Sequence, residues 1–138
     1  MDELTQISGR LRESGKIIVH CHGVFDLLHP GHIRHFEVAK REGDVLLVTV
    51  TKDKFVNKGP GRPVFNQWLR AEAIAALQCV DYVAVNEWPT AVETIQKLRP
   101  HVYVKGSDYV DPAQDMTGNI SLEAEAVKAE GGRISFTD

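Results

Sequence analysis

The chain has 138 residues, 43% hydrophobic and 25% charged, which is enough for one domain with its own hydrophobic core. Its formal net charge of −3 gives no reason to expect binding to nucleic acid or to an anionic membrane surface. No apolar run approaches the roughly 20 residues that span a bilayer, and the N-terminus lacks a signal-peptide pattern. Two cysteines are too few for a disulfide framework, so we expect a cytoplasmic protein.

Apolar periodicity and turn residues predict helices and strands that alternate along the chain. In order, these are a helix over 3–14, a strand over 16–22, a helix over 30–42, a strand over 44–51, a helix over 67–78, a strand over 82–85, a helix over 90–99, a strand over 101–104, a helix over 121–130 and a strand over 133–136. The alternation predicts an α/β fold: a Rossmann-like open parallel sheet of about five strands, with helices on both faces and right-handed crossovers. We expect a single domain over residues 1–138.

Individual residues predict where the helices begin and end. Gly15 and Gly43 are expected to close the first two helices, and Asn66 is expected to cap the third. Thr90 and Glu93 have the spacing of a capping box at the start of the fourth. These signals place the loops between the helices and the strands.

Other side chains are assigned to packing or to the surface. The apolar face of helix 67–78 is predicted to include Leu69, Ala73, Ile74 and Leu77. Phe36, Trp68 and Cys79 are assigned to packing, and His35 to the surface of its helix.

The strongest functional signal is the passage from the first strand into the second helix. The strand ends at Gly23, and the helix opens through His29-Pro30-Gly31-His32. Proline suits the first position of a helix, which puts His29 at the N-cap and His32 in the first turn. Exposed amide groups and the positive end of the helix dipole gather there, so the sequence predicts a phosphate-binding site.

Polar loops follow the first, second and fourth strands, at the sheet edge where open α/β proteins bind ligands. The loop over 52–64 is rich in glycine, proline and cations, and its cations are Lys52, Lys54, Lys58 and Arg62. A second polar turn, Lys105-Gly106-Ser107-Asp108-Tyr109, follows the fourth strand at once. The sequence therefore predicts one binding region that these loops share.

The stretch from Gly23 to His32 closely resembles the signature of the nucleotidylyltransferase superfamily marked by the His-x-Gly-His motif. Residues 58–64 and 104–109 are similar to the adenylyltransferase domain of bacterial heptose-phosphate kinase/adenylyltransferases. Glycerol-3-phosphate cytidylyltransferases are also similar. The resemblance covers residues 16 to about 136, and it implies transfer of AMP or CMP to a sugar phosphate such as heptose 1-phosphate, in lipopolysaccharide or cell-envelope precursor synthesis.

Nucleotidyl transfer depends on positioning and on neutralising spread negative charge, so no covalent nucleophile is needed. We assign His29 and His32 as donors to the triphosphate, each as the cation or as a neutral tautomer. The resemblance adds Lys58 as a phosphate-binding catalytic residue, and Arg62 is expected to hold the acceptor's phosphate because guanidinium pairs with phosphate through two hydrogen bonds.

The resemblance also implies a set of nucleotide-binding residues: Gly23, Val24, Phe25, Asp26, Gly31, Arg70, Lys105, Gly106 and Asp108. Arg70 matches a family arginine, with a surface ion pair as the alternative. Asp26 is expected to orient its loop, to hold Mg²⁺ through water or to form an Asx-turn. The nucleoside triphosphate is expected to carry the Mg²⁺ with it, and no protein metal site is predicted.

Alternatives remain open at this point. CTP with glycerol 3-phosphate could replace ATP with a heptose phosphate, and the domain could bind nucleotide without catalysis. His20 and His22 face one side of a strand, as in zinc hydrolases, but no acidic ligand stands at an expected place. The resemblance further raises a homodimer, a fused sugar-kinase domain and a Ser/Thr-rich phosphate-binding segment expected after Asp138, without which this chain could be inactive alone.

Overall fold

The computed structural model describes residues 1–56, 59–106 and 119–137. The helices are α1 (Asp2–Glu13), α2 (Pro30–Lys40), α3 (Gln67–Ala75), α4 (Val92–Leu98) and α5 (Asn119–Ala129), with a single 3₁₀ turn over Asp53–Phe55. The strands are β1 (Ile18–Gly23), β2 (Val45–Val50), β3 (Tyr82–Val85), β4 (Val102–Gly106) and β5 (Arg133–Thr137). In this part of the chain, no helix is long and apolar enough to cross a bilayer.

The five strands form one parallel sheet in the order β3-β2-β1-β4-β5. This confirms the predicted Rossmann-like α/β fold. β1 lies at the centre, with β2 on one side and β4 on the other, so the chain reverses its direction of travel across the sheet at β1. Crevices at such a reversal, beyond the carboxyl ends of the strands, are where open α/β sheets bind ligands.

Alternate residues of each strand face two different helix layers. On one face, Val19 of β1 packs with Phe36 of α2 and Ile74 of α3. On the other face, Ile18 packs with α1 and α4, while α5 covers Tyr103 of β4. Because both faces are covered, the strands are apolar along most of their length, which explains why their continuous apolar runs predicted them.

The predicted apolar face of α3 is partly wrong. Ile74 is fully buried and Leu77 packs against the core, but Leu69 is 48% exposed and Ala73 is also exposed. Trp68, assigned to packing, is 67% exposed. Arg70 occupies the buried position instead, because its guanidinium finds oxygen acceptors inside the protein.

Several helix boundaries also differ from their predictions, and α3 ends at Ala75 rather than at residue 78. α4 begins at Val92 after an Ala91 N-cap that makes no side-chain bond, so the Thr90–Glu93 capping box does not form. α2 ends at Lys40, before Gly43. Gly43 has a packing role instead: a Cβ there would lie 2.7 Å from Val19 Cγ2 and 2.8 Å from the carbonyl oxygen of Ile17. The Asn66 cap is confirmed, because its side chain accepts the backbone N–H of Leu69.

Candidate active site

The start of α2 is built by its two histidines, which form a reciprocal cap. The Nδ1 of His29 accepts the backbone N–H of Gly31 at 3.0 Å, and the Nδ1 of His32 accepts the backbone N–H of His29 at 3.3 Å. Their ring centroids lie 3.9 Å apart. The predicted positions of His29 at the N-cap and His32 in the first turn are confirmed.

This cap decides which nitrogen carries the proton in each neutral ring. An Nδ1 that accepts an N–H bond must offer its lone pair, so the proton of each neutral ring is on Nε2. Gly31 leaves space for the His29 ring in this geometry, since a Cβ there would lie 2.7 Å from Cε1 of His29. The helix start therefore presents two Nε2–H donors beside the positive end of the α2 dipole.

Phe25 fixes the loop that leads from β1 into this helix. Its φ of 51° lies in the left-handed region, which side chains other than glycine seldom adopt. The ring folds back over Gly23, where a Cβ would lie 2.8 Å from Cζ, and it packs edge-on against His32 at 5.6 Å. Its contact with Phe36, at 5.0 Å, joins the loop to the core. Phe25 thus positions the His32 ring.

Asp26 joins the β1–α2 loop to the β2–α3 loop. Its carboxylate accepts the backbone N–H groups of Val64 at 2.8 Å and Phe65 at 2.9 Å, and a guanidinium N–H of Arg62 at 3.1 Å. Burial alone would raise the pKa of Asp26, but these donors outweigh it and hold the pKa below its usual value. These bonds let Asp26 orient its loop, while its expected hold on Mg²⁺ through water stays a prediction.

The buried side chain of Arg70 connects the same two loops from inside the protein. Its guanidinium donates to the carbonyl of Phe65 at 3.0 Å, to the carbonyl of Val24 at 2.9 Å and to Oδ1 of Asp53 at 2.7 Å. The alternative of a surface ion pair for Arg70 is wrong, because the ion pair with Asp53 forms but the Arg70 side chain is fully buried. Arg62 differs, because its half-exposed side chain leaves the remainder of its guanidinium towards solvent.

Lys105 and Gly106 end β4 on the other side of β1. The Nζ of Lys105 donates to the carbonyl of His22 at 3.0 Å and lies 4.0 Å from a carboxylate oxygen of Glu123 on α5. Gly106 pairs with Thr137 of β5. The sheet thus brings Lys105 against the end of β1, next to the loop that carries the histidine pair.

Two predicted site residues, Lys58 and Asp108, lie outside the described residues, and their assignments stay predictions. The remaining ones all lie along one edge of the sheet: Gly23, Val24, Phe25, Asp26, His29, Gly31, His32, Arg62, Arg70, Lys105 and Gly106.

His20 and His22 do not form a metal site with the histidine pair. Both rings point at one hydroxyl, with His20 Nε2 at 2.8 Å and His22 Nδ1 at 2.9 Å from Oγ1 of Thr49. Burial, with a smaller contribution from Lys105, lowers the pKa of His20 to about 3 and that of His22 well below its usual value. Across the described residues, no group of three or more His, Cys, Asp or Glu side chains is placed to hold a metal ion.

His35 was missed as a residue of this region. It is not simply a surface residue of α2, because its Nδ1 lies 2.6 Å from Oγ1 of Thr137 on β5. Burial, followed by the nearby charges of Lys105 and His32, lowers its pKa to about 4. Only the partner 102 residues away reveals this role, so no local pattern could have predicted it.

The fold and this edge define an α/β protein with a phosphate-binding helix start among loops that hold its donors in place. Residues 20–135 match the sequence pattern that defines the Cytidylyltransferase-like family. The chain belongs to this family, and it is a nucleotidyltransferase enzyme. The resemblance seen in the sequence is thereby confirmed.

Relatives and solved structures agree with this family. The chain is 39% identical over 129 residues to the "Bifunctional protein HldE" of Syntrophotalea carbinolica, covering 92% of this chain and 25% of that protein. It is 40% identical over 135 residues to the protein of the same name from Aliarcobacter butzleri, covering 96% of this chain and 28% of that protein. The chain thus spans about a quarter of the length of these relatives.

Two solved structures share the fold. A lipopolysaccharide core biosynthesis protein from Thermoplasma volcanium superposes with a TM-score of 0.69 at 26% identity, covering 88% of this chain and 93% of that one. Pantoate-beta-alanine ligase from Francisella tularensis superposes with a TM-score of 0.68 at 18% identity, covering 99% of this chain and 64% of that one, which is a likeness of fold.

Proposed function

We propose that this domain transfers AMP from ATP to a sugar phosphate of the heptose 1-phosphate type and releases pyrophosphate. The observation that carries the proposal is the reciprocal cap of α2, which directs the Nε2–H groups of His29 and His32 as donors at a helix N-terminus. The similarity to the HldE proteins supports the adenylyl group and the heptose class. The Thermoplasma likeness supports a role in cell-envelope precursor synthesis.

In the proposed reaction, an oxygen of the acceptor's phosphate attacks the α-phosphorus of the nucleoside triphosphate. A new P–O bond forms, the bond from the α-phosphorus to the oxygen that bridges to the β-phosphate breaks, and pyrophosphate leaves with that electron pair. His29 and His32 donate hydrogen bonds to phosphate oxygens as charge builds on them. The triphosphate would carry Mg²⁺, which would supply charge neutralisation.

The proposed roles of the remaining residues depend on which strand or loop carries them. Lys105, Gly106 and Asp108 follow β4 and are proposed to meet the nucleotide, together with Gly23 and Gly31 of the β1–α2 segment. Lys58 and Arg62 belong to the β2–α3 loop, where Lys58 is proposed to reach the phosphates and Arg62 the acceptor. For Val24, Phe25, Asp26 and Arg70, the internal contacts support nucleotide binding through the shape of the loops.

The half-exposed Arg62 supports the acceptor assignment. Only one of its guanidinium nitrogens is bonded to Asp26, so the side chain is anchored near the site and still has donors for a phosphate. Because the anchor is a buried carboxylate, the arginine is held in place at little further cost when the acceptor binds.

A second candidate is transfer of CMP from CTP to glycerol 3-phosphate. The family description favours the cytidylyl group, and the sequence resemblance to glycerol-3-phosphate cytidylyltransferases suggests the acceptor. A third is nucleotide binding without catalysis. A homodimer and a fused sugar-kinase domain, as the family resemblance implies, and a cytoplasmic location, as the low cysteine count suggests, complete the proposal.

The deciding experiment measures pyrophosphate release for a panel of nucleoside triphosphates against phosphorylated sugars and polyols. We expect ATP with a heptose 1-phosphate to give the highest kcat/KM. Preference for CTP with glycerol 3-phosphate would establish the second candidate. Nucleotide binding by calorimetry with no pyrophosphate from any pair would establish the third.

A further inference from the structure

A line of four polar side chains crosses β1 and β2 on the face covered by α1 and α4. His20 Nε2 and His22 Nδ1 both meet Oγ1 of Thr49, and His22 Nε2 lies 3.5 Å from Oγ1 of Thr51. Thr49 has no exposed surface, whereas Thr51 is 7% exposed at the carboxyl end of β2. The line therefore runs from the middle of the sheet out to the edge that carries the site.

The inner end of this line indicates where its hydrogens lie. Nδ1 of His20 is buried and meets no hydrogen-bond partner. A buried N–H without an acceptor is rarer and costs more than a bare ring lone pair, so the proton of His20 belongs on Nε2. His20 then donates to Thr49, and its buried, neutral ring agrees with the lowered pKa.

The direction of each following bond depends on the one before it. Thr49 accepts from His20, so its own hydrogen is available to Nδ1 of His22. If His22 accepts at Nδ1, its neutral ring carries the proton on Nε2. This N–H then donates a hydrogen bond to Oγ1 of Thr51, at 3.5 Å the longest bond of the line. With this tautomer of His22, each group in the sequence His20, Thr49, His22, Thr51 donates to the next.

The last group of the line has a hydrogen left to give. We propose that Thr51 donates this hydroxyl hydrogen to an oxygen of the phosphorylated acceptor, held in direction by His20, Thr49 and His22 as positioning residues. The acceptor's identity as a substrate rests on the proposed function. The directed line itself rests on the hydrogen-bond contacts and on the tautomer assigned to His20.

The position of Thr51 in the sheet favours the acceptor over the nucleotide. Its backbone N–H donates to the carbonyl of Gly23 at 2.9 Å, which places it beside the loop that leads to the histidine pair. It begins the same β2–α3 loop that carries Arg62, the proposed acceptor residue. Lys105 and Gly106, the proposed nucleotide residues, lie beyond β1 at the end of β4.

The first test reads the tautomers directly and needs no activity. Nitrogen-15 NMR of the ¹⁵N-histidine-labelled chain at pH 7 should show His20 and His22 neutral, with the proton on Nε2 in both. Thr49→Val should shift the Nδ1 resonance of His22, since it removes the hydroxyl that donates to this nitrogen in the proposed line. His101 is the internal reference, because its Nδ1 accepts the backbone N–H of Ile18 away from this line. A proton on Nδ1 of His22 would reverse the line and overturn the proposal.

The second test separates acceptor from nucleotide by steady-state kinetics. Thr51→Val should raise the KM for the acceptor about tenfold, the size of one hydrogen bond, while the KM for the nucleotide stays within twofold. Thr51→Ser keeps the hydroxyl and should restore the acceptor KM. Circular dichroism melting confirms that each variant is folded.

The outcomes of the second test are distinct. An unchanged acceptor KM in Thr51→Val, or a rise confined to the nucleotide KM, would overturn the acceptor contact. A wild-type chain that transfers to no phosphorylated acceptor would overturn the proposed function and this contact together. The tautomers would still decide whether the directed line exists.

Discussion

Arg70 and Asp53 form an ion pair of 2.7 Å in which the guanidinium is wholly buried and the carboxylate is partly exposed. Because the other guanidinium donors reach the carbonyls of Val24 and Phe65, the arginine holds three separate segments together. We expect Arg70→Lys to lower the free energy of unfolding by about 3 kcal/mol, since one ammonium group cannot reach the three separate acceptors of the planar guanidinium.

Urea unfolding of that variant provides the measurement. Asp53→Asn is the matched control, because its amide oxygen can still accept from Arg70, and we expect a loss of only about 1 kcal/mol. An Arg70→Lys protein as stable as the wild type would show that the three segments do not depend on the guanidinium.

His29 serves both the helix and the proposed reaction, and one pair of variants separates these roles. Asparagine is a good N-cap residue, so His29→Asn should keep α2 folded while removing the Nε2–H donor. We expect kcat/KM to fall about 100-fold in His29→Asn, with unfolding free energy within about 0.5 kcal/mol of wild type. His29→Ala should lose the same activity and about 1 kcal/mol of stability as well.

Pyrophosphate release and urea unfolding measure the two effects. Glu37→Ala, at an exposed position of α2, is the control that should leave both unchanged. Full turnover in His29→Asn would remove this histidine from the mechanism.

Gly31 gives space to the ring of His29, so Gly31→Ala should displace that ring. The added Cβ would lie 2.7 Å from Cε1 of His29, well inside contact distance. We expect at least a tenfold loss of kcat/KM, because small misplacements of a catalytic donor are costly. Gly9→Ala, where nothing lies within 4 Å of the new Cβ, is the control. Wild-type kinetics in Gly31→Ala would show that the His29 ring position is unimportant.

Asp26 should stabilise the protein only while it is ionised. Its pKa is held below the usual 3.8, so its contribution is complete above that pH and is lost as pH falls through the lower, folded-state value. At pH 7 we expect Asp26→Asn to lower the unfolding free energy by about 2 kcal/mol. Urea unfolding as a function of pH should show wild type and variant converging in acid, and a constant difference would contradict the proposed ionic contribution.

Buried histidines should make the fold sensitive to mild acid. The pKa of His35 is lowered from 6.5 to about 4 and that of His20 to about 3, so below pH 6.5 the unfolded chain binds protons that the folded chain does not. Stability is then lost as pH falls, by about 1.4 kcal/mol per pH unit for each histidine that stays neutral. Urea unfolding at pH 7, 6 and 5 measures this slope, which should be smaller in His35→Asn. A flat profile would contradict it.

Most of the fold was predictable because both faces of the sheet are covered. The continuous apolar runs at β1 and β2 are typical of buried parallel strands, and Pro30 and Asn66 indicated two helix starts. The positions of His29 and His32 at the start of α2 were predictable because they depend on four adjacent residues, whereas their reciprocal hydrogen bonds were not predicted.

The parts that could not be predicted depend on partners far away in the chain. In α3, hydropathy favours Leu69 as a buried residue, but Arg70 is buried because the carbonyl of Val24, 46 residues earlier, accepts its hydrogen bond. His35 meets Thr137 across 102 residues. Neither partner is visible in the local pattern of the sequence.

The hydrogen bonds of Asp26 and Arg70 at the carboxyl ends of the strands affect how a ligand binds. Asp26 joins its loop to Val64 and Phe65, and Arg70 joins Val24 to Phe65 and Asp53. These segments are therefore already connected before a ligand binds, so the loops should lose little conformational entropy on binding. A displacement of one of these segments is transmitted to the others, so we expect them to keep their arrangement when a ligand binds.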